Sequence, residues 1–283
     1  MMKRAASLLF AILLLAGLLA GCEDPVHQTQ RTLRIAMSPD FAPMEFVDPT
    51  KSDQDQFVGF DVFLARYIAQ ELGLELEIMP MEFNACQMAV YAGTVDLSVS
   101  GYTWSEKREK DYNLSDRYYA GDTTDHQILI TLADKADAYT DAESLSGAKV
   151  AVQSASLQLV LAQSQLPDSE IHVFYDLDTA VRQLLDGDFD CVAVSGGNAR
   201  AILAAHPEIV PAGFSFQVEE KYRGYVILLQ KGNDELTRQV NEILASAQAH
   251  YDEWYAQALS IAGVEVHYDE NGNTIPQEGD TLE

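Results

Sequence analysis

The sequence predicts an α/β protein of two similar lobes, each a central β-sheet flanked by helices, and three observations carry that prediction. Hydrophobic strand-like runs alternate with stretches whose apolar residues recur at helical spacing, as expected of sheets covered by helices. A helix-Gly-strand junction occurs twice: Gly93-Thr94-Val95-Asp96 opens the run LSVSG to Gly101, and Gly187-Asp188-Phe189-Asp190 opens CVAVSGG to Gly197, each strand delivering its carboxyl end to a glycine-containing loop. Between these repeats, 122–132 and 224–230 read as extended strands, one leaving the first lobe and one returning, which together make a two-strand hinge. A chain of 283 residues is long enough for two compact domains or one large one.

The elements follow in order. Lys3 and Arg4 precede an apolar run from Leu8 to Leu19, too short for a spanning helix and suited to a secretory h-region. The run ends Leu19-Ala20-Gly21-Cys22, which resembles a bacterial lipobox, so 1–21 is expected to be cleaved and Cys22 lipidated; an ordinary signal peptide with a chance cysteine is the alternative. Residues 22–31 are polar and contain Pro25, as in a flexible tether. Thr32 to Met37 reads as a strand, and Pro39 and Pro43 mark a loop beyond it. Phe60, Leu64, Ile68 and Leu72 recur every four residues and Gly73 offers a left-handed cap, which predicts a helix after Gly59. Leu74, Leu76 and Ile78 alternate with Glu75 and Glu77 in a strand with one wet face, and 84–92 is a short helix ending at Gly93. Residues 233–259 form a long amphipathic helical region with Leu236, Val240, Ile243 and Leu244 on one face, which chain order places on the first lobe. The first lobe then comprises 32–124 and 224–260, the second 125–223, and 261–283 is an acidic tail with a turn signal at Asn271-Gly272-Asn273.

Charge and cysteine content exclude several classes. Cleavage of 1–21 would remove Lys3 and Arg4 and leave 16 of the 18 basic residues against 44 acidic ones. So anionic a surface repels phosphates and gains nothing from counterion release, which argues against nucleic acid. With Cys22 consumed, Cys86 and Cys191 are too few for a disulfide framework and are expected as buried free thiols. The six histidines show no metal-ligand spacing, and no glycine-rich phosphate loop is present, so no cofactor is expected.

The segment DLSVSGYTWSEKREKDYNLSDRYY, Asp96 to Tyr119, carries the clearest functional signal. Asp96 to Val99 reads as a buried strand, Gly101 and Thr103 as a tight turn beyond its carboxyl end, and Ser105 as the N-cap of a helix with Arg108 in its first turn. Open α/β sheets bind ligands just outside the carboxyl ends of their strands, where a planar guanidinium beside a free amide and a hydroxyl can grip a carboxylate bidentately. The plainer alternative is a surface arginine paired with Glu106 or Asp111.

Several motifs, in order, resemble the extracellular solute-binding proteins of family 3, the polar amino-acid receptors of ABC importers, over 32–259. They are Leu33-Arg34-Ile35-Ala36 with Phe41-Ala42-Pro43-Met44-Glu45-Phe46, then Val58-Gly59-Phe60-Asp61-Val62. Gly101-Tyr102-Thr103 with Glu106-Lys107-Arg108 follows, then Leu114-Ser115-Asp116-Arg117-Tyr118-Tyr119, Leu145 to Val152, and Asp252-Glu253-Trp254. The resemblance implies a type II periplasmic-binding-protein fold and a lipid-anchored monomer outside the cytoplasm, delivering an amino acid or related carboxylate to an ABC permease without catalysis. Carried over by position, it makes Arg108 the clamp on an α-carboxylate, with Gly101 offering backbone contacts, Thr103 a hydroxyl, Phe41 and Phe83 a sandwich for the ligand side chain, and Gln153 and Ser156 contacts from the second lobe. Two positions depart from the pattern: the acid that commonly holds the ligand ammonium after the second-lobe strand is here Ser195, and another first-lobe acid position carries Ser38. Asp40 or Glu45 then supplies the missing charge, or the ligand lacks a recognised amine. The rival reading is a prephenate or arogenate dehydratase on the same scaffold, with Glu45, Glu82 or Asp122 as its acid; a ligand sensor with a signalling partner is a third.

Overall fold

In the computed structural model, which describes residues 31–119 and 126–265 and the backbone of 267–268 and 274–275, two five-stranded sheets each gather helices around their own core. Strand β1 (Thr32–Met37) is followed by a small three-stranded sheet of β2 (Asp40–Phe41), β3 (Glu45–Val47) and β4 (Phe57–Val58). Helix α1 (Phe60–Glu71) buries Phe60, Leu64 and Ile68 and ends before Gly73, whose φ of +66° closes it in the left-handed region as predicted. Then come β5 (Glu75–Pro80), α2 (Phe83–Ala92) ending at left-handed Gly93, β6 (Leu97–Thr103), α3 (Glu106–Asp111) and β7 (Tyr112–Leu114). The second lobe contains β8 (Gln127–Leu132), β9 (Lys149–Gln153), α4 (Leu157–Gln165), β10 (Glu170–Phe174), α5 (Leu177–Leu185), β11 (Cys191–Ser195), α6 (Gly196–Ala205) and β12 (Ile209–Ser215). The chain returns through β13 (Tyr225–Gln230), α7 (Asp234–Ala247) and α8 (Tyr251–Ile261), and β14 (His267–Tyr268) pairs with β15 (Thr274–Ile275).

The sheet orders β5-β1-β6-β13-β7 and β10-β9-β11-β8-β12 are two versions of one plan. In each, a central strand lies parallel to both neighbours, and an antiparallel strand is laid beside the third. The doubled helix-Gly-strand junction marks the same step in both, α2 into β6 and α5 into β11, with Gly93 and Gly187 at positive φ. The antiparallel members β13 and β8 are the strands expected to form the hinge. Each belongs wholly to one sheet, and residues 122–125 of the first expected hinge strand lie outside the described residues.

Three local readings change. Gly101 and Thr103 are not a turn: β6 runs through both, and Gly101, at φ +58°, lies where the ladder to β13 shifts register between Val226 and Leu228. Gly196 and Gly197 form no loop, since β11 passes directly into α6 with Ser195 as N-cap. The helical region after 233 is two helices separated by a 3-10 turn at Gln248–His250, and both pack on the first-lobe core, where Val240, Ile243 and Leu244 are buried. Cys86 and Cys191 are buried and unpaired with each other. The expected leader, Cys22, the expected tether up to residue 30 and most of the tail lie outside the described residues.

Candidate functional site

Ser105 accepts the Arg108 amide at 3.2 Å, the cap foreseen in the sequence, and this fixes Arg108 in the first turn of α3. The side chain does not reach solvent. Arg108 is 6% exposed, its Nε donates to Gln87 Oε1 at 3.2 Å, Nη1 to the Thr103 carbonyl at 2.7 Å, and Nη2 across to the Ala155 carbonyl at 2.8 Å. Asp111 bonds Lys107 instead, at 2.6 Å, so the surface-pair alternative does not describe this arginine. Its guanidinium carbon lies 5.2 Å from the Tyr102 ring centroid and 5.8 Å from that of Phe83, and these two rings stack at 4.8 Å. Burial lowers its pKa to about 10, so it remains a cation at neutral pH. All of its acceptors are neutral.

Arg108 faces a cavity of about 30 Å³ between the lobes, and Phe41, Phe83, Gly101, Thr103, Gln153 and Ser156 line it too. Phe83 also belongs to the first-lobe core, so it both walls the cavity and supports the guanidinium. Phe41 packs against the buried clusters of both lobes. Ser156 caps α4 by accepting from the Leu159 amide at 3.1 Å, while Ala155 before it is held at φ +59°. Ser195 is not on this wall. It is 1% exposed, its hydroxyl accepts from the Asn198 amide at 3.3 Å, and its register partner on β8, Gln127, lines the cavity. Ser100, Gln127, Leu157, Gln158 and Tyr225 are further wall residues that the sequence reading missed. Ser100 was marked only by its place beside Gly101, and Gln158 by its place two residues beyond Ser156. Gln127 and Tyr225 reach the wall through strand pairing, which leaves no local trace.

Behind Gly101 lies a carboxyl pair. Asp61 Oδ2 accepts the Gly101 amide and the Tyr118 hydroxyl, each at 2.9 Å, and Glu45 Oε1 accepts the Ser100 hydroxyl. The remaining oxygens, Glu45 Oε2 and Asp61 Oδ1, have no other hydrogen-bond partner, and both residues are fully buried. A single proton held between the two carboxyl groups would satisfy both. Burial and the neighbouring Asp61 charge push Glu45 well above the ordinary carboxyl range, so Glu45 carries that proton and donates it to Asp61. Glu45 is therefore sealed from the cavity. Asp40 does line it: Oδ1 accepts from Ser38 Oγ at 2.9 Å, and Oδ2 accepts from Gln153 Nε2 at 3.1 Å and the Leu177 amide at 2.8 Å. Of the other acids considered for catalysis, Glu82 precedes α2 and is exposed, and Asp122 lies outside the described residues.

Contacts between the lobes ring the cavity. Besides the bonds from Arg108 and to Asp40, Asn198 Nδ2 on α6 donates to the Ala42 carbonyl at 2.9 Å. Two α/β lobes of one topology closed over a shared cavity define a two-lobed binding protein of the type II periplasmic-binding-protein fold.

Residues 33–260 match the bacterial extracellular solute-binding proteins, family 3, and the chain belongs to that family. It is 25% identical over 216 residues to a probable histidine-binding protein of Campylobacter jejuni, covering 73% of this chain and 80% of that one. It is 32% identical over 154 residues to the arginine-binding extracellular protein ArtP of Bacillus subtilis, covering 54% of each. Among solved structures, an amino acid ABC transporter substrate-binding protein, AbpA, of Streptococcus pneumoniae bound to L-arginine aligns with TM-score 0.75 and 27% identity over 83% of this chain and 97% of that one. These relatives are substrate-binding proteins, not enzymes.

Proposed function

We propose that this protein captures an amino acid or related small carboxylate between its lobes and delivers it to the membrane permease of an ABC importer. The observation that carries the reading is Arg108, a buried cation facing the interlobe cavity with only neutral acceptors. A buried charge without a counter-charge is costly, and a ligand carboxylate would supply it in the bidentate geometry that a guanidinium favours. Thr103, Gly101, Phe41 and Phe83 from the first lobe and Gln153 and Ser156 from the second would complete the contacts, and a ligand touching both lobes would stabilise the closed form. The names of the relatives, which bind arginine or histidine, support an amino acid as the class.

The lobes are taken to divide near 124/125 and 223/224, and lipidation at Cys22 would hold a monomer at the outer face of the membrane. A thermal-shift screen of the purified protein against amino acids and related carboxylates tests the reading, because a ligand that binds only the folded form raises Tm. Concentration-dependent shifts with one or a few amino acids are expected. No shift across the panel, or turnover of prephenate or arogenate, would refute it.

A further inference from the structure

Among the described residues, two charged side chains line the interlobe cavity, one cation and one anion, Arg108 and Asp40. The protein neutralises neither. Arg108 bonds only carbonyl, hydroxyl and amide oxygens, and Asp40 accepts only from a hydroxyl, a side-chain amide and a backbone amide. We propose that Asp40 receives the cationic group of the ligand, so that the site selects a small zwitterion with its carboxylate at Arg108 and its ammonium at Asp40. This assignment rests on the function proposed above and names its substrate class.

The three other residues that the sequence raised for this charge or its place, Ser38, Ser195 and Glu45, are already engaged elsewhere. The Ser38 hydroxyl donates to Asp40, the Ser195 hydroxyl caps α6 away from the cavity wall, and Glu45 is 0% exposed and bound to Ser100 and Asp61. A carboxylate offers about four lone-pair sites. Asp40 uses two on Oδ2, for Gln153 and Leu177, and one on Oδ1, for Ser38, which leaves one on Oδ1 for a donor from the ligand. Two of its three partners, Gln153 and Leu177, belong to the second lobe, so the acid is held from both sides of the cavity. Asp40 also walls a neighbouring crevice of about 590 Å³, where Asp48, Asp178, Arg182 and His206 are the other charged or titratable groups; Glu45 lies behind it and Arg108 across the cavity. Burial, reinforced by the Asp178 charge, pushes its pKa from 3.8 up to about 6, so at neutral pH Asp40 is an ionised group in want of a cation.

An acid that serves a ligand and an acid that serves the fold respond oppositely to Asp40→Asn. A raised native pKa means that the ligand-free fold loses stability as pH rises from about 4 to about 6, so D40N should melt higher than wild type at pH 7.5, by about 2–4 °C, and equally at pH 4. The same variant should bind amino acids about 30-fold or more weakly. The experiment measures Tm of both proteins at pH 7.5 and 4, and titrates each calorimetrically with L-arginine, L-histidine, L-glutamine and 4-carbamoylbutanoate, the deaminated analogue of glutamine. A higher-melting D40N together with wild-type preference for an amino acid over the analogue supports the assignment. A lower-melting D40N at pH 7.5, unchanged amino-acid affinity in D40N, or analogue binding as tight as that of L-glutamine overturns it and leaves the carboxylate reading standing. A wild type that binds no amino acid in the thermal-shift panel but binds a carboxylate without an amine overturns the assignment alone, and one that binds nothing in the panel overturns both.

Discussion

A guanidinium held at 6% exposure among neutral acceptors is an arrangement that folding alone would not favour, since a leucine or methionine in that space would cost nothing in desolvation. Its location explains it. Arg108 spans from the first lobe to the Ala155 carbonyl of the second, beside a cavity with one other charged wall residue. Replacing it by alanine should lower affinity for the amino acid found in the thermal screen by about 100-fold or more, measured by calorimetry, while leaving the circular dichroism spectrum unchanged. Unaltered affinity would remove Arg108 from the site. The carboxyl pair behind Gly101 makes a different prediction. Because Glu45 is the protonated member, Glu45→Gln keeps its donor toward Asp61 and its acceptor for Ser100, and urea unfolding at about pH 4, where free carboxyls are still largely protonated, should find it within about 1 kcal/mol of wild type. Asp61→Ala strips the Gly101 amide and the Tyr118 hydroxyl of their acceptor and should cost about 2–5 kcal/mol. The sign of the pH effect follows from the raised Glu45 pKa: the native state holds a proton that the unfolded chain releases, so wild type should lose stability relative to E45Q as pH climbs above the ordinary carboxyl range.

Strand β6 shows how one element converts sequence into a site. LSVSGYT continues as a strand past Gly101 because a glycine at φ +58° admits the bulge, and the bulge directs its amide to Asp61. A Cβ at this position would sit 2.9 Å from the Phe41 ring. Gly101→Ala therefore combines a disfavoured backbone conformation with displacement of a cavity wall. It should lower stability by about 1–3 kcal/mol in denaturant unfolding and weaken ligand binding as well. Full affinity in G101A would mean that Phe41 does not shape the site. Helices α4 and α6 illustrate the capping signal and its limit: Ser156 and Ser195 both cap the helix that follows their strand, yet only Ser156 reaches the cavity. N-cap chemistry is local and readable, whereas the direction in which the capped end points depends on the whole lobe.

At the scale of the molecule, the polar contacts described between the lobes include Arg108 to Ala155, Gln153 and Leu177 to Asp40, and Asn198 to Ala42. Three of these four bonds involve the two charged residues of the cavity wall, so a ligand that engages those residues can tip the equilibrium between open and closed forms. Small-angle X-ray scattering should record a smaller radius of gyration on saturation with the amino acid that raises Tm, and R108A should stay extended at the same concentration. An unchanged radius in wild type would exclude closure as the response.

The alternation of elements, the doubled junction ending at Gly93 and Gly187, the Ser105 cap, the packing face of α7 and the family were legible in the chain itself, because each depends on residues near in sequence and on periodicities of 2 and 3.6. What only the tertiary structure decided was which polar groups share the cavity. Two serines occupy the places where the sequence pattern expected acids, and sequence alone left Asp40 and Glu45 equal candidates to replace them. Burial separated them. Glu45 is shut behind Ser100 with a shared proton, while Asp40, five residues earlier, meets Leu177 and Gln153 from the other lobe and remains on the wall. Charge state and access are set by what packs around a carboxyl group, and those neighbours lie as far as 137 positions away along the chain.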